Sequence, residues 1–275
     1  MSAIRFPVPI LMYHSISEHS SEHFRTWTVP PQLFDEHLQV LRDHHYTPLT
    51  VTQFVTAIDQ DRLRLEQRPV VITFDDGFED FYTHACPILG RYDCPATIYI
   101  VSGAVGGTSR WLAREGEGHR RMMSWPQVAA IHAQGIECGA HTHTHPQLDL
   151  LPLAEARDEI TRSKAELEQH LGQPVTSFAY PHGYHGRAVR DLVVQAGFES
   201  ACGVKHAMSA TGDDRFALAR IIVTRDTTAV DLQALLRGEG LRIAPRGERP
   251  QTALWRVVRR SRRRMEQVID LARSK

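Results

Sequence analysis

The sequence predicts an α/β protein in which parallel strands are joined by helical crossovers. Short β-branched runs alternate along the chain with longer segments of helical period. The 275 residues, 42% of them hydrophobic, suffice to bury a large core. The residues that end the strands are polar and metal-binding in type, and a parallel sheet gathers such ends at its carboxyl edge. Periodicity leaves a closed barrel and an open doubly wound sheet equally allowed.

In chain order, VPILMYH (8–14) is a continuous apolar strand ended by His14. A helix follows over 31–45, where Phe34, Leu38 and Leu41 recur at i, i+4 and i+7, and a second covers 51–65. PVVITF (69–74) is a strand running into Asp75-Asp76, followed by a helix over 80–89 and the strand PATIYIV (95–101). Residues 103–118, with Gly106, Gly107 and Gly116, have charges but no apolar period and form a long loop of the kind that covers a site. Helices are expected over 125–133, 153–171 and 187–196, the first and last running into Gly135 and Gly197 in C-cap positions. The remaining strands are GIECGAH (135–141), VTSFAYP (175–181) and FALARIIV (216–223).

Composition excludes several classes. Thirty-two basic residues balance 32 acidic ones at 23% charged, without the high net charge of a disordered chain. No apolar run reaches the roughly 18 residues that cross a bilayer, and MSAIRFPVPILMYHS lacks the pattern of an export signal. A cytoplasmic protein is therefore expected, peripheral to the inner membrane face if it meets a membrane. Cys86, Cys94, Cys138 and Cys202 form no CxxC pair and read as buried free thiols. Charge is uneven: residues 246–275 hold ten basic and three acidic side chains, and the body of the chain is acidic by the same margin. Residues 1–244 are thus expected to form the catalytic domain and 245–275 a basic, helical tail. An amphipathic basic helix suits an anionic membrane surface or a protein partner. Nucleic acid is disfavoured, since no aromatic interleaving accompanies the arginines.

Three segments carry chemistry. Asp75-Asp76-Gly77 presents adjacent carboxylates at a strand end, so that one can ligate a cation while its neighbour faces the substrate as a base; an N-capping Asp with a turn gives the same letters. His141 and His145 are spaced HxxxH, which on a helical turn puts both rings within reach of one metal, while His143 points elsewhere. With Asp76 they make an Asp, His, His set with open positions. FAYPHG (178–183) ends a further strand in a rigid turn whose backbone N–H groups suit an oxyanion; an ordinary strand-terminating turn reads the same way.

In order and spacing, TFDDG (73–77), HTHTHPQL (141–148) and FAYPHG resemble the first three motifs of the polysaccharide deacetylase family, the chitooligosaccharide deacetylase homology domain. ILMYHSIS (10–17) and MSWPQVAAIHAQGIECGAH (123–141) are similar to the same family, and the resemblance covers roughly residues 8–224. It implies a distorted (β/α) barrel that removes acetyl groups from N-acetylated amino sugars with one divalent metal, zinc by default, with cobalt, nickel, manganese or iron also permitted. By the same resemblance Asp75 is the general base, and Asp76, His141 and His145 are the ligands. His182 then supplies the oxyanion N–H, and Tyr180, Pro181 and Trp125 line the sugar site.

The chain also departs from the family pattern. Ala179 stands where many members carry an arginine that orients the base, and no Leu-x-His follows Arg220 to supply a general acid. His14, at its strand end, is the candidate acid. Two other readings stay open: a catalytically weakened carbohydrate-binding or scaffold member, and a hydrolase of a non-sugar amide. Trp111, inside the long loop, either stacks on a sugar or pins the loop.

Overall fold

The computed structural model describes residues 6–64, 67–244 and Arg259. The tail expected over 245–275 lies outside the described residues, Arg259 excepted. Eight parallel strands form the main sheet: β1 (Ile10–Tyr13), β2 (Thr47–Leu49), β3 (Pro69–Phe74), β4 (Thr97–Ile100), β5 (Glu137–Ala140), β6 (Ser177–Ala179), β7 (Ser200–Cys202) and β8 (Ile221–Ile222). They run in the order β7-β6-β5-β4-β3-β1-β8, and β2 pairs with the first half of β3 on the edge whose second half meets β4.

One segment joins the two ends of this sheet. Leu218 bridges Cys202 of β7, while Ile221 and Ile222 pair with Leu11 and Met12 of β1. Residues 218–222 thereby touch both edges and curl the sheet into a distorted barrel.

Strand alternation divides the side chains between two layers. Ile10, Val71, Tyr99, Ala179, Cys202 and Leu218 point inward and pack with Val51, Phe54 and Val55 of helix α2 (Val51–Asp59); α2 abuts the strand starts, where Thr52 bonds Glu137 and Thr176. Leu11, Tyr13, Ile72, Phe74, Ile98, Ile100, Ala140 and Phe178 point outward into the larger core beneath the other helices. Among the described residues no helix is long and apolar enough to cross a membrane.

Helices α4 (Trp125–Ala133) and α5 (Leu153–Leu171) span the expected residues, and α1 (Pro31–Asp43) and α6 (Arg187–Gln195) end within two of them. The helix expected over 80–89 is instead a π turn at Phe81–Ala85 leading into α3 (Cys86–Arg91). Pro87 has no N–H to donate, so regular α-helical bonding cannot run through this point. Sequence periodicity missed β2 and β7, three residues each, and α7 (Ala229–Leu236), which begins with a capping box between Thr228 and Asp231. All four cysteines are free and buried.

Candidate active site

The inward parity of the strands carries past their ends. His14 continues the run of Ile10 and Met12, Asp75 that of Val71 and Thr73, and His141 that of Gly139. Three strands thus aim three polar side chains at the carboxyl mouth of the barrel. The chain then turns sharply: Asp76, Thr142, His145 and His182 all have positive φ (78°, 65°, 65° and 56°). Each such backbone costs about 1–3 kcal/mol outside glycine and persists only where its surroundings over-determine it.

Asp76, His141 and His145 converge, their candidate ligand atoms lying within 4.8 Å of one another. Asp76 Oδ1 is 3.2 Å from His145 Nε2 and 3.6 Å from His141 Nε2. His141 Nδ1 lies 2.8 Å from the Ala179 carbonyl, an acceptor, so Nδ1 carries the proton and the Nε2 lone pair faces Asp76. Burial lowers the His141 imidazole to about 4, which keeps it neutral at pH 7. Burial alone would raise the Asp76 carboxyl, yet the hydrogen bond with His145 holds it well below the usual carboxylate range. Two imidazoles and one ionised carboxylate, all buried, fit a divalent cation with coordination positions left for water and substrate.

The pair His141 and His145 was expected on one helical turn. Residues 141–147 are instead an irregular loop with left-handed residues at Thr142 and His145, where the hydroxyl of Thr142 accepts from His145 N at 3.0 Å. Helix α5 holds this loop from outside. Glu159 accepts from the backbone N–H groups of His143 and Thr144 and from the Thr144 hydroxyl at 2.9, 2.7 and 2.6 Å. His143 Nδ1 pairs with Glu166 at 2.9 Å and so faces away from the ligands, as its spacing implies.

Asp75 has the partner that sequence reasoning missed. Arg220 is fully buried and donates to both Asp75 oxygens at 2.6 and 2.7 Å, with its Nε bonded to the Gly203 carbonyl at 3.0 Å. Burial alone would raise the Asp75 carboxyl; the Arg220 charge, helped by His141, holds it below its ordinary value and therefore ionised. The arginine missing at position 179 is thus replaced from residues 218–222, the segment that closes the barrel. An arginine inside the apolar run FALARIIV was the available signal.

His14 packs against Trp27 with ring centroids 4.9 Å apart, and its Nδ1 is buried without a partner among the described residues. His182 sits on a 3-10 turn at 181–183 whose Gly183 and Tyr184 N–H groups bond back to Tyr180 and Pro181. Its ring meets His145 edge-on at 4.9 Å, and burial lowers it to about 4. Pro181 is buried in the same turn.

Two expected sugar contacts lie elsewhere. Tyr180 has the parity of Phe178, so it points into the outer core, where its hydroxyl donates to the Phe216 carbonyl at 3.0 Å and its ring stacks on His185. Trp125 opens α4 and stacks on His170 of α5 at 3.8 Å, a contact between outer helices. The indole at the candidate ligands is that of Trp111, 4.9 Å from the His145 ring and nearly parallel to it, with a buried Nε1 that has no partner among the described residues. The long loop therefore reaches the site, pinned by the satellite cluster of Phe24, Phe78, Leu112 and Met122.

An ionised carboxylate beside three candidate metal ligands is the equipment of a hydrolase that activates water. Comparison with known proteins narrows that class. The model of the polysaccharide deacetylase family matches residues 62–201, and the chain belongs to that family. It is 28% identical over 217 residues to the YxkH protein of Bacillus subtilis (strain 168), covering 79% of this chain and 71% of that one. It is 24% identical over 216 residues to the poly-beta-1,6-N-acetyl-D-glucosamine N-deacetylase of Staphylococcus aureus (strain MRSA252), covering 75% and 71%. Among solved structures, the Streptococcus pyogenes deacetylase PplD in complex with acetate superposes with a TM-score of 0.73 at 26% identity, over 85% of this chain and 99% of that one. IcaB from Ammonifex degensii does so with a TM-score of 0.70 at 25% identity, over 84% and 97%. The curled parallel sheet is the distorted barrel of this family.

Proposed function

We propose that the chain is a divalent-metal-dependent de-N-acetylase acting on N-acetylhexosamine residues of a polysaccharide, an oligosaccharide or a lipid-linked intermediate, with zinc as the metal. The observation that carries this reading is the pairing of Asp75 with Arg220 directly beside Asp76, His141 and His145. Asp76, His141 and His145 would hold the metal, which when bound supplies polarisation of the amide carbonyl and of water. Asp75 takes the proton of the attacking water, and Arg220 keeps that carboxylate charged and aimed. The His182 backbone N–H faces the oxygen that becomes negative. His14 returns to the leaving amine the proton that Asp75 took from the attacking water. Unchanged kcat in His14→Ala would remove it from the mechanism.

The likeness to the Staphylococcus aureus poly-beta-1,6-N-acetyl-D-glucosamine N-deacetylase supports a poly-N-acetylglucosamine substrate. Arg220 counts against the weakened-member reading, because it restores the contact that Ala179 cannot make.

The test is acetate release from β-1,6- and β-1,4-linked N-acetylglucosamine oligomers by metal-stripped protein reloaded with zinc or cobalt. Asp75→Ala is expected to bind metal and lose at least about a hundredfold in turnover, while Asp76→Ala loses the metal itself. Full activity in Asp75→Ala would overturn the base assignment, and no release from any acetylated sugar by metal-loaded protein would overturn the substrate class.

A further inference from the structure

The proposed reaction makes no use of Asp149, a carboxylate buried on the 3-10 turn Leu148–Leu150 just beyond His145. A charge at that depth needs a counter-charge, because an unpaired buried carboxylate costs several kcal/mol. It is met from the basic C-terminal stretch. Arg259 donates from Nη1 and Nη2 to the two Asp149 oxygens at 3.0 and 2.5 Å, and from Nη1 to Gln147 Oε1 at 2.9 Å. The same guanidinium lies 3.6 Å from the centroid of the Tyr184 ring. Only 10% of the Arg259 side chain and 2% of that of Asp149 are exposed.

These contacts converge on two loops of the site. Asp149 and Gln147 follow the ligand His145; Tyr184 follows His182, with the two rings nearly parallel and their centroids 6.3 Å apart. His145 and His182 both hold left-handed backbone conformations, which need support from outside their own loops. We infer that Arg259 is a positioning residue: it clamps the loop of His145 to the loop of His182. Only arginine suits this place, since a planar fork can grip a carboxylate with two nitrogens while its face lies on an aromatic ring, and lysine cannot do both.

The inference rests on the proposed function for its catalytic meaning, but its structural content can be read separately. In the full-length protein, Arg259→Ala is expected to weaken zinc binding to the metal-stripped chain by about tenfold, as loss of an outer support of a metal ligand does, and to lower kcat more than it raises KM. Arg259→Lys should not restore either property, whereas millimolar guanidinium should partly restore both in Arg259→Ala and leave the parent unchanged. Asp149→Asn should reproduce the loss, and the double variant should be no worse than either single one, in zinc affinity and in melting temperature. The double variant removes both charges of the Arg259–Asp149 pair together, so it stays informative if Arg259→Ala does not fold. Zinc affinity and kcat of Arg259→Ala within twofold of the parent, additive effects in the double variant, or a rise in kcat would each overturn the clamp. A parent that binds zinc but releases no acetate would overturn the substrate reading alone, since zinc affinity and melting coupling still report on the clamp.

Discussion

Arg220 and Asp75 lie 145 positions apart and are both almost completely buried. Removing one member of such a pair costs about 3–5 kcal/mol, because the other charge is left in a medium that cannot solvate it. Arg220→Met is therefore expected to lower unfolding free energy by that amount and to let the Asp75 carboxyl rise, with turnover falling alongside. Arg220→Lys keeps the charge but not the two-point grip and should fall between. Chemical denaturation checks this, and an Arg220→Met loss below about 1 kcal/mol would mean that the pair is not held as the structure has it.

At the level of elements, the loop of the candidate ligands His141 and His145 is held by a helix that contributes neither of them. Glu159 fixes two backbone N–H groups and one hydroxyl of the loop, Glu166 fixes His143, and Gly103 packs so closely that an added Cβ would lie 2.5 Å from the His143 ring. Glu159→Ala should free the backbone between His141 and His145 and weaken zinc binding by about tenfold, readable by titrating the metal-stripped protein. Unchanged affinity would show that the backbone bonds from Ser102 and Gly103 to Thr142 and His143 hold the loop unaided. The HTHTH motif made His141 and His145 legible as candidates, although a loop and not a helical turn brings them together. Their support was not, because Glu159 and Glu166 look like any solvated helix carboxylates until α5 is docked. Tyr180 was misread for a related reason: its strand end was recognised, but parity puts Ala179 and Pro181, not Tyr180, on the inward face.

For the whole molecule, burying several imidazoles in one cavity makes stability depend on pH. His141 and His182 are lowered to about 4 by burial, against about 6.5 in the unfolded chain. Between those values the unfolded state takes up protons that the folded state refuses. Stability of the metal-free protein is therefore fully present above about pH 6.5 and falls as pH drops toward 4, by about 1.4 kcal/mol per pH unit for each imidazole. At roughly 2–4 °C per kcal/mol for a chain of this size, melting in EDTA should be clearly lower at pH 5 than at pH 7.5, and His182→Asn should flatten the slope. A pH-independent melting temperature over that range would contradict the burial of these rings.

The alternating α/β plan, most helix bounds, and the placing of Asp75, Asp76 and His141 at strand ends are legible in the sequence alone, because each follows from local periodicity and from motifs a few residues long. Tertiary structure decided everything that needs two distant segments to meet. It closed the sheet through residues 218–222, brought Arg220 to Asp75, put Trp111 rather than Trp125 at His145, and joined Arg259 to Asp149. Such pairings are fixed by strand register and by which face of a strand or helix is buried. Those are properties of the folded sheet as a whole, and no local stretch of sequence carries them.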